Sequence, residues 1–213
     1  MTNESAPERE TVHVAAYDTL ADWEVGFATA HLNNPQFQRV PGRFRVVMVG
    51  ETDKPVTSTG GMRILPDLTL DELTPSESAM LILPGGSAWM AVGGNAAFGK
   101  KAREFVEAGV PVAGICGATV GLAREGLLDD RVHTGNSPDE LAVSGYQGAA
   151  HYRDEPAVTA GDVITAGGVA PVEFAREIFA KLDVYAPEVL AAWFLMFRHH
   201  DPSGFAAMMG DGS

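Results

Sequence analysis

Four stretches of the chain are apolar with scarcely any alternation, the pattern of strands covered on both faces. They are TVHVAAY (11–17), FRVVMVG (44–50), AMLILPGG (79–86) and PVAGI (111–115). Helical spacing falls between and after them. From Ala21 onward, Trp23, Phe27 and Ala30 recur about one turn apart and predict a first helix. NAAFGKKAREFVEAG (95–109) reads as an amphipathic helix, with Asn95 as N-cap and Gly109 as its stop. GATVGLAREG opens another, and PVEFAREIFAKL (171–182) has proline in its first turn. PEVLAAWFLMFRHH is a strongly apolar last helix.

The remaining segments are punctuated by turn formers. TDKPVTSTGGMRILPDLTLDEL predicts a hairpin or an irregular excursion. Leu127 to Asp154 is irregular, with a short helix near Pro138–Val143, and PAVTAGDVITAGG predicts a hairpin around Ala-Gly-Asp. Strands alternating with helices argue for an α/β fold: a three-layer sandwich with a mostly parallel sheet. No internal repeat or long linker divides the 213 residues. Residues 1–10 read as a flexible tail, 11–183 as the α/β domain, and 184–213 as an apolar helix and tail. That last segment either packs on the domain or forms a dimer interface; its Trp, Phe and Met content favours the interface.

In open sheets of this kind ligands bind beyond the carboxyl ends of the strands. Three features fall there: the Tyr17–Asp22 loop, Pro84-Gly85-Gly86, and Cys116. Cys116 is the single cysteine of the chain and follows a strand directly before a helix. A nucleophile elbow has that layout, with small residues two before and two after the nucleophile; Gly114 and Ala118 supply them. The helix N-terminus beneath Cys116 favours thiolate over thiol. A lone cysteine is as often a buried core residue, and the two readings predict different proteins. Glycines at 85 and 86 leave backbone N–H groups free to face a ligand, so Gly86 and Gly117 together are candidates for holding an oxyanion. Asp22 and Glu24 follow the first strand, where an acid beside Cys116 can share its proton.

Charge narrows the partners. Twenty-eight acidic against 15 basic residues give a net charge of −13, which repels phosphates and anionic lipid and argues against nucleic acid or membrane partners. One cysteine forms no internal disulfide and suits a reducing compartment. The polar first ten residues lack a signal-peptide core, so a cytoplasmic location is expected. No metal and no cofactor is predicted.

Taken together, LILPGG, AGICGATVGLA and VITAGGVAPVEFARE resemble the ThiJ/PfpI superfamily over about Val12 to Leu182. The resemblance implies the flavodoxin-like, class I glutamine amidotransferase-like fold. It implies that Cys116 is the reactive cysteine, that Asp22 is the acid beside the thiol, and that Gly86 and Gly117, with the neighbouring Gly85, form the oxyanion and substrate-binding positions. It also implies a homodimer acting on a small-molecule substrate. Two departures stand out. Protease-like members often carry histidine directly after the cysteine, where this chain has Gly117. The late His-Pro-Glu type motif of glutamine amidotransferases is missing near Gly167–Pro171. Two histidines are left as candidates: His133, just after the elbow helix, for the catalytic set, and His151 behind it. His13 in its strand and His31 late in its helix read as structural, and His199-His200 as a favourable helix end. The expected function is therefore a cysteine-dependent hydrolase or lyase acting on a small carbonyl, amide or nitrile-like compound. The alternatives are a redox-sensing or stress-protective protein whose cysteine is oxidised, and a non-catalytic binding protein.

Overall fold

The computed structural model describes residues 9–209. Of the tail expected over 1–10, residues 1–8 lie outside that range, and Glu10 already belongs to the first strand. The elements follow the sequence order closely: β1 (Glu10–Ala16), α1 (Asp22–Asn33), β2 (Phe44–Gly50), then short strands β3 (Val56–Thr57), β4 (Arg63–Ile64) and β5 (Leu68–Thr69). Next come β6 (Met80–Leu83), α2 (Ala96–Glu107), β7 (Val112–Ile115), α3 (Gly117–Arg124) and α4 (Pro138–Ala142). The chain finishes with the hairpin β8 (Ala157–Ala160) and β9 (Val163–Ala166), then α5 (Pro171–Lys181), α6 (Pro187–His199) and α7 (Ser203–Met209).

Seven strands form one sheet in the order β5-β2-β1-β6-β7-β9-β8. All its neighbouring pairs are parallel except β8 with β9, an antiparallel edge. Alternate strand residues feed two cores. Val12, Val14, Met80, Ile82, Ala113 and Ile115 pack with α1, α5 and α6 on one face. Leu81, Leu83 and Val112 pack with α2 and α3 on the other. This is the three-layer α/β sandwich the alternation predicted. The excursion after β2 resolves into the antiparallel pair β3–β4, with β5 added parallel to the edge of the sheet.

One local expectation changes, and the last apolar helix takes one of the two places expected of it. Asn95 ends the turn before α2 in the left-handed region (φ 53°) and makes no side-chain cap. The apolar stretch of α6 is drawn inward: Trp193 is fully buried against Phe27, His31, Phe179 and Phe197. Its indole N–H donates to Nε2 of His31, whose other nitrogen meets the Tyr185 hydroxyl. That helix completes the core on its inner face, and α7 folds back against it.

His13 is likewise structural. It is 4% exposed, and its Nδ1 lies 2.8 Å from the Ser78 hydroxyl. Burial, helped by the Arg45 cation and opposed by Glu77, pushes its pKa down to about 4. The unfolded chain takes up that proton near 6.5, so stability is complete above this value and is lost as pH falls from there toward 4. Urea unfolding at pH 7 and pH 4 should show this as roughly 3 kcal/mol of extra loss in the wild type relative to His13→Gln. Equal slopes in the two proteins would remove His13 as the cause.

Candidate active site

The carboxyl ends of β1, β6 and β7 meet at Cys116. Strand β7 hands directly into α3, and Cys116 is the hinge, with φ 57° and ψ −129°. A non-glycine residue in that region stores on the order of 1–3 kcal/mol, held here by its neighbours. The Cys116 N–H donates to Ala166 O at 2.9 Å, and its carbonyl accepts from both the N–H and the hydroxyl of Thr119. Gly114 gives α3 room to pack back on the strand: a Cβ there would meet Leu122 Cδ1 at 2.8 Å.

Glycines wall the sulfur on two sides. A Cβ on Gly85 would lie 2.5 Å from Cys116 Cβ, and one on Gly168 would lie 2.8 Å from Sγ. Gly117, directly after the cysteine, is crowded by Gly86 O at 3.1 Å and Trp89 Cβ at 3.2 Å. A side chain at 117 would need both to give way. The Pro84–Gly86 turn is fixed from beneath. Tyr17 donates its hydroxyl to Pro84 O and Gly85 O, and the Trp89 indole N–H reaches Tyr17 Oη and Pro84 O at 2.8 and 2.9 Å.

The carboxyl group facing the thiol is Glu24 and not Asp22. Glu24 is 1% exposed. One of its oxygens accepts the Gly85 N–H at 2.5 Å. The other, Oε1, is buried without a nitrogen or oxygen partner and faces the sulfur across the space above Gly168. Asp22 points to the other side of α1, where its Oδ2 accepts the Gly60 N–H at 2.6 Å and ties the β3–β4 excursion to the helix. Burial raises the Asp22 carboxyl, but hydrogen bonds from Ser58, Gly60 and its own backbone outweigh it and hold it below the usual range.

Burial pushes Glu24 up to about 7 against the hydrogen bonds from Cys116 and Gly85. Burial also pushes the Cys116 thiol up to about 11, against Asn136 and with the Glu24 charge and hydrogen bond adding to the rise. The N–H of Gly117 faces the sulfur and works the other way. The helix end alone therefore does not set the protonation state. Desolvation dominates both shifts, and the thiol and the carboxyl face one another across the glycine wall.

His133 also lies elsewhere. Its ring is fully buried between Tyr146 and Tyr152, with Nδ1–H donating to Arg131 O at 2.9 Å and Nε2 meeting the Tyr146 hydroxyl at 3.2 Å. Burial lowers its pKa, so it is a neutral core histidine. Neither His133 nor His151 lines the openings above Cys116. Three residues after His133, Asn136 takes the place beside the thiol. Its Nδ2 stands 3.2 Å from Sγ and 2.9 Å from Glu140 Oε1, while its Oδ1 accepts the Gly168 N–H at 2.8 Å.

Cys116, Glu24, Trp23 and Asn136 form the floor shared by two openings. The smaller, about 310 Å³, is bounded by Gly86, Gly117, Thr59, Met90 and Glu140. The larger, about 930 Å³, runs along Gly168–Glu173 to Phe197 and Arg198 on α6 and His200 just past its end. A further cleft of about 750 Å³ lies at the amino end of β1, lined by Thr11, His13, Arg45 and Ser78, away from the thiol. Among the described residues no group of three or more His, Cys, Asp or Glu is placed to hold a metal ion, and no helix is long and apolar enough to cross a membrane.

A mostly parallel α/β sandwich with a cysteine on a strained elbow, a buried carboxyl beside it and two glycine walls defines a recognisable class of protein. The profile of the DJ-1/PfpI family matches residues 10–181, and the chain belongs to that family. It is 38% identical to "Uncharacterized protease YoaZ" of Bacillus subtilis over 201 residues, 93% of this chain and 95% of that one. Among solved structures it is similar to a ThiJ/PfpI family protein of Bacillus anthracis, with TM-score 0.88, 34% identity and coverage of 97% and 98% of the two chains. It is also similar to the DJ-1 superfamily protein Atu0886 of Agrobacterium tumefaciens, with TM-score 0.78, 34% identity and coverage of 90% and 100%.

Proposed function

We propose that this protein is a cysteine-dependent hydrolase or lyase acting on a small electrophilic carbonyl, amide or nitrile-like compound. One observation carries the reading: Glu24 Oε1, which has no nitrogen or oxygen partner, faces Cys116 Sγ at the floor of an open cleft. Sulfur attacks the electrophilic carbon, the new C–S bond forms, and the carbonyl π pair moves onto oxygen. The thiol proton passes to Glu24, which is ionised above about 7. Backbone N–H groups of Gly86 and Gly117 are assigned to the developing oxyanion, with Asn136 Nδ2 as a further donor at the sulfur. For an amide, Glu24 returns its proton to the departing amine, and water then releases the acyl group from sulfur. The protease name borne by the Bacillus subtilis relative is compatible with the amide branch. The family resemblance supports a homodimer as the working unit.

The reading is tested with a panel of small aldehydes, amides and nitriles against wild type and Cys116→Ser. Turnover of at least one class is expected, with a loss of about 10³-fold or more in the serine variant. Full activity in Cys116→Ser would overturn the mechanism.

The Glu24 carboxyl also favours a second reading, peroxide sensing. In its protonated form it can donate a hydrogen bond to a sulfinate formed on Cys116 by peroxide, the oxidant being reduced to water. Preferential oxidation of Cys116 by mass spectrometry, with no substrate turned over, selects that reading.

A further inference from the structure

The chemistry of Cys116 leaves unexplained why a carboxylate stands at the mouth of its own cleft. Glu140 is half-buried at the third position of the short helix α4. The local sequence Ser137-Pro138-Asp139-Glu140 is a capping box, and Ser137 Oγ does accept the Glu140 N–H at 3.1 Å. In such a box the glutamate reaches back to the cap backbone. Here both of its oxygens instead take Asn136 Nδ2, at 2.9 and 3.1 Å, and that same amide nitrogen reaches Sγ. No more than two hydrogen-bond lengths separate the carboxylate from the sulfur.

The rest of the small cavity holds nothing to neutralise it. Its described lining residues include no lysine, arginine or histidine, and the one other acid is Glu24. On the wider side Arg198 is paired through its Nε with Glu173, His200 stands at the far end, and Asp154 and Glu155 add negative charge. Trp23 lines both openings, is 55% exposed and is held by its indole N–H on Gly168 O at 3.2 Å. Its ring is a surface on which a cation is favoured.

We infer that Glu140 is a specificity-determining residue that admits neutral and cationic small electrophiles to Cys116 and turns away anionic ones. The inference rests on the reading of Cys116 as the nucleophile, but its test needs no turnover. A carboxylate-bearing substrate would be brought beside Glu140 and the forming thiolate with no counter-charge in the cavity. At that separation and a surface-like dielectric, like charges disfavour approach by about one to two orders of magnitude in rate.

The test measures second-order alkylation of Cys116 by iodoacetamide (neutral), iodoacetate (anionic) and 2-bromoethylammonium (cationic), each relative to free N-acetylcysteine amide. In each case sulfur displaces halide, and dividing by the free-thiol rate cancels the reagents' different leaving groups and intrinsic reactivities, so that the ratios report the site. The wild type should prefer iodoacetamide over iodoacetate by about 10- to 100-fold more than the free thiol does, with the cation at least as favoured as the neutral reagent. Glu140→Gln should shrink the neutral-to-anion ratio by about tenfold, and Glu140→Lys should bring it to the free-thiol value or below. Glu188→Gln, on the exposed first turn of α6, removes the same overall charge far from the cavity and should leave the ratio unchanged. The ratio stays readable even where a variant slows all three reagents by releasing Asn136. A wild-type ratio equal to that of the free thiol, or equal effects of Glu140→Gln and Glu188→Gln, would overturn the inference. Loss of turnover with the charge preference intact would instead count against the proposed enzymatic function alone.

Discussion

Replacing Glu24 with glutamine is expected to make Cys116 easier to alkylate and, at the same time, to depress turnover. The two effects have separate origins. In the wild type a buried carboxylate faces the sulfur, and its charge adds to desolvation in holding the thiol up at about 11. Glutamine removes that charge and offers an N–H to the thiolate, so the thiol pKa falls. Each unit of fall gives about tenfold more thiolate at neutral pH and costs about threefold in intrinsic nucleophilicity. Iodoacetamide should therefore react about threefold faster or more at pH 7.5. Turnover goes the other way, because glutamine accepts no proton; a general base is worth about 10²–10⁴ in rate. The pH profile supplies an independent check. Wild-type kcat/KM should rise through about 7, as Glu24 ionises, and that limb should vanish in the variant. Slower alkylation in Glu24→Gln would mean that the carboxylate promotes ionisation, the reverse of the burial argument.

Trp89→Ala should produce the largest loss of stability, about 3–5 kcal/mol by chemical denaturation. The indole is fully buried and meets the Tyr17 ring edge-on at 6.0 Å. It fills the space over Gly121, where a Cβ would come within 2.2 Å of the ring. Truncation leaves a cavity beneath the elbow helix and strips Tyr17 Oη and Pro84 O of a donor. Since those two groups anchor the Pro84–Gly86 turn, Cys116 reactivity should change along with stability. A loss below about 1 kcal/mol would mean that the surrounding layers collapse onto the gap.

The same packing explains what could be read from the residues and what could not. The strands and the elbow were legible because their signals are local: apolar runs ended by Pro-Gly-Gly or by Cys-Gly. The acid was misplaced by two residues, and the cause is helical phase. Spacing of Trp23, Phe27 and Ala30 suggests one face, but Trp23 and Ala30 are exposed. The buried stripe is Glu24, Val25, Ala28 and Leu32. Glu24 stands four and eight residues before Ala28 and Leu32, so that periodicity would have placed it inward and Asp22 outward. Asp22 has its own partner at Gly60, in an excursion with no periodicity to reveal it. His133 follows the elbow helix in sequence, yet two tyrosines close over it. Asn136 and Glu140 sit just before and within the short helix α4, where the capping box marks a helix start but only long-range packing brings the two side chains to the sulfur.

The latch between Asp22 and Gly60 has a consequence for how such a protein diversifies. It pins the excursion to the start of α1, and through Thr59 the excursion forms one wall of the small cavity. The sulfur, its acid and the glycine walls belong to the sheet and its helices. The wall belongs to a segment of two-residue strands that bears little of the core. Substitutions there can reshape the chamber while the thiol, its carboxyl neighbour and the glycine walls stay as they are, so on the proposed reading what the chamber admits is free to drift while the reacting groups are kept.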